Sequence, residues 1–191
     1  EANASNYWRD KLGARQRPRI GLVWNGGFRQ HQKELWRVNA RRNIELSQLT
    51  VLHDVPVDFY SLQKGDPAQA ELATLQAQGW HDLPIINHTA ELQDFADTAA
   101  LIEQLDLVIS VDTSTAHVAA AMGKPVWLLN RYDTCWRWMY ERSDSPWYDS
   151  VTQFRQREPG QWAPVVAAVS EALEGLLTSA QAQTQAPAQV Q

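Results

Sequence analysis

Apolar runs recur along this chain at short intervals, each followed by a turn and then by a stretch with helical spacing. Ile20-Gly-Leu-Val-Trp24 opens the pattern and stops at Asn25-Gly26-Gly27, which predicts a strand entering a turn. Ile44–His53 has helical spacing. Val57–Gln63 alternates, is rich in β-formers and ends at Lys64-Gly65-Asp66-Pro67. Ala68–Gln78 predicts a helix, Leu83–Ile86 a short strand and Asp94–Leu105 an amphipathic helix. Leu107–Val111 reads as a buried strand; Asp112 follows at once, with a helix to Met122 that Gly123-Lys-Pro125 ends. Val126–Leu129 is a further strand, and Trp162–Leu177 the last helix. This alternation predicts an α/β fold of three layers, a Rossmann-like doubly wound parallel sheet with helices on both faces.

The two ends break the pattern. Residues 1–17 are polar and irregular apart from Trp8, and predict a linker or the end of a helix from an upstream region. The run 179–191 is rich in Ala, Gln and Pro and carries no charge, which predicts a disordered tail. One domain over 18–178 remains. A chain of 191 residues suits that count, and a hydrophobic share of 44% is enough to fill its core. No apolar run approaches the roughly 20 residues that cross a bilayer, and no signal segment opens the chain, so a cytoplasmic protein is expected. A single cysteine, Cys135, cannot close an internal disulfide. The net charge of −5 offers no global field for nucleic acid, so any bound anion must be held locally.

Ligands of doubly wound sheets collect beyond the carboxyl ends of the strands. Here that rule selects four turns: Asn25–Gly27, Gln63–Gly65, Asp112–His117 and Asn130–Asp133. Asp112-Thr-Ser-Thr-Ala-His117 carries the most. Free N–H groups and the positive end of a helix dipole meet the hydroxyls of Thr113, Ser114 and Thr115, with His117 one turn further in; the segment suits a diphosphate. Asp112 would repel phosphate and is expected to cap the helix instead. A well-capped helix with a half-buried histidine fits the same residues. Lys64 can meet a phosphate as a point charge, or be a solvated turn residue. Gln63 can bond a base or sugar edge, or close its turn. Asn25, Gly26 and Gly27 allow close approach of backbone to ligand, or form a plain tight turn. Phe28–Arg42 is long, basic and without pattern, as a binding loop or a disordered one would be. Four of the nine tryptophans, Trp127, Trp136, Trp138 and Trp147, crowd one region. There Trp136-Arg137-Trp138 and Ser145-Pro-Trp-Tyr148 suit base or sugar stacking for one or two members, and a satellite core for the rest. The five histidines have no metal-ligand spacing. A G-x-S-x-G elbow and a phosphate-binding P-loop are both absent from the sequence.

The segments Asp97-Thr-Ala-Ala-Leu-Ile102, Leu105–Thr113 and Ala116–Val126 resemble the donor half of bacterial heptosyltransferase-like enzymes. With Gly21–Gly27, Ser61–Gly65, Trp136–Trp138, Ser145–Tyr148 and Phe154–Gln156, the chain is closer still to glycosyltransferase regions found after tetratricopeptide repeats in bacterial proteins. The resemblance covers about residues 18–177. It implies the C-terminal half of a GT-B glycosyltransferase, which transfers sugar from a nucleoside-diphosphate sugar to an acceptor hydroxyl without a metal or other cofactor. It implies that Asp112, Thr113, Ser114 and His117 form the donor diphosphate loop, with donor-side roles for Gln63 and Lys64; Asn25, Gly26, Gly27, Thr115 and Arg137 join them as donor-binding candidates from the residue reading, and His117 and Lys64 are expected to stabilise the leaving group. It places the catalytic base in an upstream acceptor domain or repeat region outside this sequence. Ser114 stands where many heptosyltransferases have glycine. The alternatives that share this architecture are a non-catalytic nucleotide-sugar-binding module and a sugar-nucleotide epimerase.

Overall fold

The computed structural model describes residues 2–27, 36–78 and 83–185. Six strands form one parallel sheet: β1 (Arg19–Val23), β2 (Asp58–Ser61), β3 (Ile85–Asn87), β4 (Leu107–Val111), β5 (Val126–Asn130) and β6 (Val151–Arg155). Their order is β3-β2-β1-β4-β5-β6, with Ile20 opposite Phe59 on one side and Leu107 on the other. The chain therefore works outward from β1 to β3 and returns to lay β4 beside β1. The crevice left at that reversal is where such sheets bind ligands.

All five positions of β1 and of β4 are buried, so these strands read as continuous apolar runs rather than alternating ones. Alternate side chains still go to separate cores. Ile20, Leu22, Leu107 and Ile109 face helices α3 (Ala68–Ala77) and α6 (Ala163–Gln185), whereas Val23 and Val108 face α4 (Phe95–Glu103) and α5 (Ser114–Ala121). The doubly wound, three-layer expectation holds.

Several boundaries differ from the sequence reading. Ala2–Leu12 is a helix, α1, so of the two readings of this segment the helical one holds and the linker does not. It lies against α4 with Trp8 only 2% exposed, and the buried Arg19 guanidinium closes its end by donating to the carbonyls of Leu12 and Gly13 at 2.8 Å each. Ile44–His53 is helical as expected, but its regular part, Leu46–Leu52, is a 3₁₀ helix. Leu46, Leu49 and Leu52 are the buried residues, a three-residue repeat that matches the 3₁₀ period and not the α period. Part of the patternless Phe28–Arg42 stretch is helix α2 (Trp36–Arg42); residues 28–35 lie outside the described residues. Helix α6 runs on to Gln185, so 179–185 is helix where the sequence predicts a disordered tail; Ala and Gln are good helix formers. Residues 186–191 lie outside the described residues. Strand β6 had no sequence prediction.

Candidate functional site

Three of the four turns singled out meet around the first turn of α5. Thr113, and not Asp112, caps that helix: its backbone is extended (φ −140°, ψ 165°), and its hydroxyl accepts from Ala116 N at 3.4 Å and lies 3.0 Å from Ser110 Oγ. The Thr113 hydroxyl is thus engaged, while the N–H groups of Ser114 and Thr115 have no carbonyl one turn back to bond. Ser114 is exposed. Beside it a cleft of about 330 Å3 is lined by the Asn25–Gly27 turn, Gln63 and Lys64 from the end of β2, and Leu92, Phe95 and Thr98 at the head of α4. Lys64 is exposed and makes no ion pair among the described residues.

The role of each turn residue follows from its partners. Gln63 is 2% exposed, and its Oε1 accepts from Trp24 N at 3.2 Å and Asn25 N at 2.9 Å. That carbonyl serves the end of β1 and is not free for a base. Gln63→Ala would strand two backbone donors and is expected to cost about 2 kcal/mol. Gln63→Glu, which keeps an acceptor, should cost less, and chemical denaturation of both variants checks this. Asn25 Oδ1 accepts from Gly27 N at 2.9 Å, and Gly27 has φ +74°, a turn that needs glycine. Gly26 is small for a different reason than ligand approach. The Arg42 guanidinium fills the space a Cβ would take, donating to Gly26 O at 2.6 Å and to Asp112 O at 2.9 Å. Arg42 thereby ties the ends of β1 and β4 and adds a fixed positive charge at the site. Sequence reasoning left it inside a patternless loop; only its partners reveal it.

A second cleft, about 700 Å3, opens on the other side of α5. It shares Arg42, Thr113 and Ser114 with the first and adds Asp112, His117, Trp136, Arg137, Trp147 and Tyr148. His117 stacks on Trp138 (centroids 5.1 Å apart, planes at 18°), and its Nδ1 is 3.1 Å from Tyr148 Oη. Burial pushes the imidazole below the ordinary histidine range, and the nearby Arg137 adds to this against the opposing pull of Asp112, 3.9 Å from Nε2. The surroundings of His117 therefore favour its neutral form. Within the aromatic block Trp138 is 1% exposed and belongs to the core, whereas Trp136 (70%) and Trp147 (55%) are exposed and line the cleft.

The fourth turn, Asn130–Asp133, does not line either cleft. Asn130 is buried and structural, its Oδ1 accepting from Thr134 Oγ1 (2.8 Å) and its Nδ2 donating to Gln153 Oε1 (2.9 Å). Among the described residues, no group of three or more His, Cys, Asp or Glu is placed to hold a metal ion.

The model of glycosyltransferase family 9 (heptosyltransferase) matches residues 61–165, from the end of β2 through both clefts to the start of α6. The chain belongs to glycosyltransferase family 9. A curated relative of this family 9 domain is protein FlbA of Caulobacter vibrioides, 31% identical over 180 residues, which are 91% of this chain and 28% of FlbA. Among solved structures, the ADP-heptose lipopolysaccharide heptosyltransferase II of Escherichia coli has 17% identity and a TM-score of 0.58, covering 95% of this chain and 53% of that one. The family 9 glycosyl transferase of Veillonella parvula has 14% identity and a TM-score of 0.59, with 93% and 51% covered. These likenesses show the fold. The family 9 domain thus spans about half of each solved relative and just over a quarter of FlbA. Among the described residues, no helix is long and apolar enough to cross a membrane.

Proposed function

We propose that this domain binds a nucleoside-diphosphate sugar and presents it for transfer to an acceptor hydroxyl. The diphosphate sits on the Ser114 and Thr115 N–H groups, and the nucleoside occupies the cleft of Leu62, Leu92, Phe95 and Thr98. The observation that carries this is the convergence of an open helix N-terminus with Arg42 and Lys64 on one crevice, at the point where the sheet order reverses. As the glycosidic bond breaks, charge grows on the phosphate, and the helix end with Lys64 and Arg42 stabilises it without a metal ion. The base that activates the acceptor comes from another part of the polypeptide, an acceptor domain or helical repeats, in the cytoplasm.

His117 supports the sugar end of the donor. When Tyr148 donates to Nδ1, the Nε2–H faces outward as a neutral donor; an adjacent phosphate raises its pKa and draws a second proton onto the ring. Affinity should therefore rise as pH falls through the window between the bound-state and free-state pKa, and level off below it. Calorimetric titration of UDP-glucose and ADP-glucose across pH 5.5–8 tests this, with His117→Ala expected to flatten the dependence. Lys64→Ala should weaken binding about tenfold at each pH, as loss of one charged phosphate contact. Unchanged affinity in Lys64→Ala, or binding to nucleosides that ignores the phosphates, would remove the basis for this function. Turnover without acceptor would point to an epimerase, and binding without turnover in the full-length protein to a non-catalytic module.

A further inference from the structure

Beyond the phosphate seat lies a built feature that the donor-binding reading leaves unused. Trp136 and Trp147 stand edge to face, centroids 6.4 Å apart and planes at 90°, at the mouth of the second cleft. Both are more than half exposed. Single exposed aromatics are ordinary, but this pair is held in place at some cost. The loop that carries Trp136 bends through two non-glycine residues with left-handed backbone, Met139 (φ 53°) and Glu141 (φ 57°). The buried Gln153 and the half-buried Arg155 fix it: Gln153 Nε2 donates to Trp138 O at 2.9 Å, and Arg155 donates to the Trp138 and Met139 carbonyls. Trp147 is pinned as well, its Nε1–H donating to Arg137 O at 2.8 Å and its backbone N–H to the buried Ser145 Oγ at 3.2 Å. The indole's one polar atom is thereby satisfied, and its carbocycle is left as plain apolar surface. The Arg137 guanidinium lies over one face of the Trp136 ring, 5.0 Å from its centroid.

We infer that the Trp136–Trp147 corner is a preformed stacking seat for the pyranose ring of the donor; this rests on the donor-binding reading. A pyranose chair has an apolar C–H face and a rim of hydroxyls, which suits a perpendicular corner offering one ring face and one ring edge. A planar base would be held better by parallel faces. The cleft behind the corner offers hydroxyls both donors and acceptors, from Arg137, His117, Tyr148 and Asp112, and the Asp112 carboxylate would repel a second phosphate there. The position also fits, because the cleft begins at Ser114 and Arg42, the groups it shares with the phosphate seat. Gln153 acts here as a positioning residue.

The experiment compares bare nucleoside diphosphates with their pyranose conjugates (UDP with UDP-glucose and UDP-N-acetylglucosamine, ADP with ADP-glucose, GDP with GDP-mannose) on the full chain, by calorimetry and by indole N–H signals in NMR. Trp136→Ala and Trp147→Ala should each weaken the best conjugate roughly five- to tenfold while moving the bare diphosphate less than twofold. Trp136→Phe should restore most of the loss, and Gln153→Ala should reproduce it without touching ligand. The conjugate, and not the bare diphosphate, should shift the Trp136 and Trp147 indole signals. Equal losses for conjugate and bare diphosphate, a loss for nucleosides lacking phosphate, or no indole shift with any conjugate would each overturn the seat while leaving the phosphate site standing. Absence of any Lys64-dependent diphosphate binding would overturn both.

Discussion

Trp138→Ala is expected to remove about 3–5 kcal/mol of unfolding free energy, the usual cost of emptying a site this large and this buried. Trp138 is 1% exposed, packs in the core between α5 and β5, and forms the floor under His117. Its carbonyl bonds to Gln153 and Arg155 belong to the backbone and survive the substitution, so the loss reports packing rather than the polar brace. Trp138→Phe should fall between wild type and alanine. Because burial is the main cause of the low His117 pKa, the alanine variant should also let that pKa climb back toward 6.5. Denaturant midpoints and an NMR titration of the His117 ring measure the two effects together. A cost under about 1 kcal/mol, or an unmoved titration, would mean that this ring supports neither the core nor His117.

Ser114→Asp should act in opposite senses on fold and ligand. Residue 114 opens α5, where a carboxylate is favoured by the helix dipole, so stability is expected to hold or to rise by about 0.3–1 kcal/mol. The same carboxylate would occupy the place proposed for the diphosphate. At about 4 Å and an effective dielectric constant near 20, two unit charges repel by about 4 kcal/mol, so even after partial screening by solvent an affinity loss of at least ~100-fold is expected. Ser114→Ala removes only a hydroxyl and should cost far less. Calorimetry beside thermal unfolding separates the two readouts, and a Ser114→Asp variant that still binds diphosphate normally would move the anion elsewhere.

The strands that carry the crevice were legible because they are buried on both faces. Leu107–Val111 and Ile20–Trp24 read as unbroken apolar runs, and each is followed by residues that can only form a turn. Strand β6 was not legible for the converse reason. Val151-Thr-Gln-Phe-Arg155 lies at the sheet edge and buries a polar Gln153, so neither alternation nor a hydrophobic run marks it. At the site, Lys64, Ser114, Thr115 and His117 stood out because residue type and position beside a strand end coincide. Arg42 did not, since its placement depends on two carbonyls far from it in sequence, Gly26 O and Asp112 O. Gln63 and Asn130 were rightly picked as strand-end polar groups, but both turn inward. Sequence marks where such amides lie and cannot tell whether backbone or solvent will claim them.

Gln153 sits on the outermost strand yet its amide reaches three separate segments: Asn130 on β5, the Trp138 carbonyl and the Asp144 carbonyl. The rim of the sheet and the indole loop must therefore loosen together. Occupancy of that loop by a ligand would slow hydrogen–deuterium exchange along Val151–Arg155, a segment no ligand touches, and fraying of the rim would in turn speed ligand release.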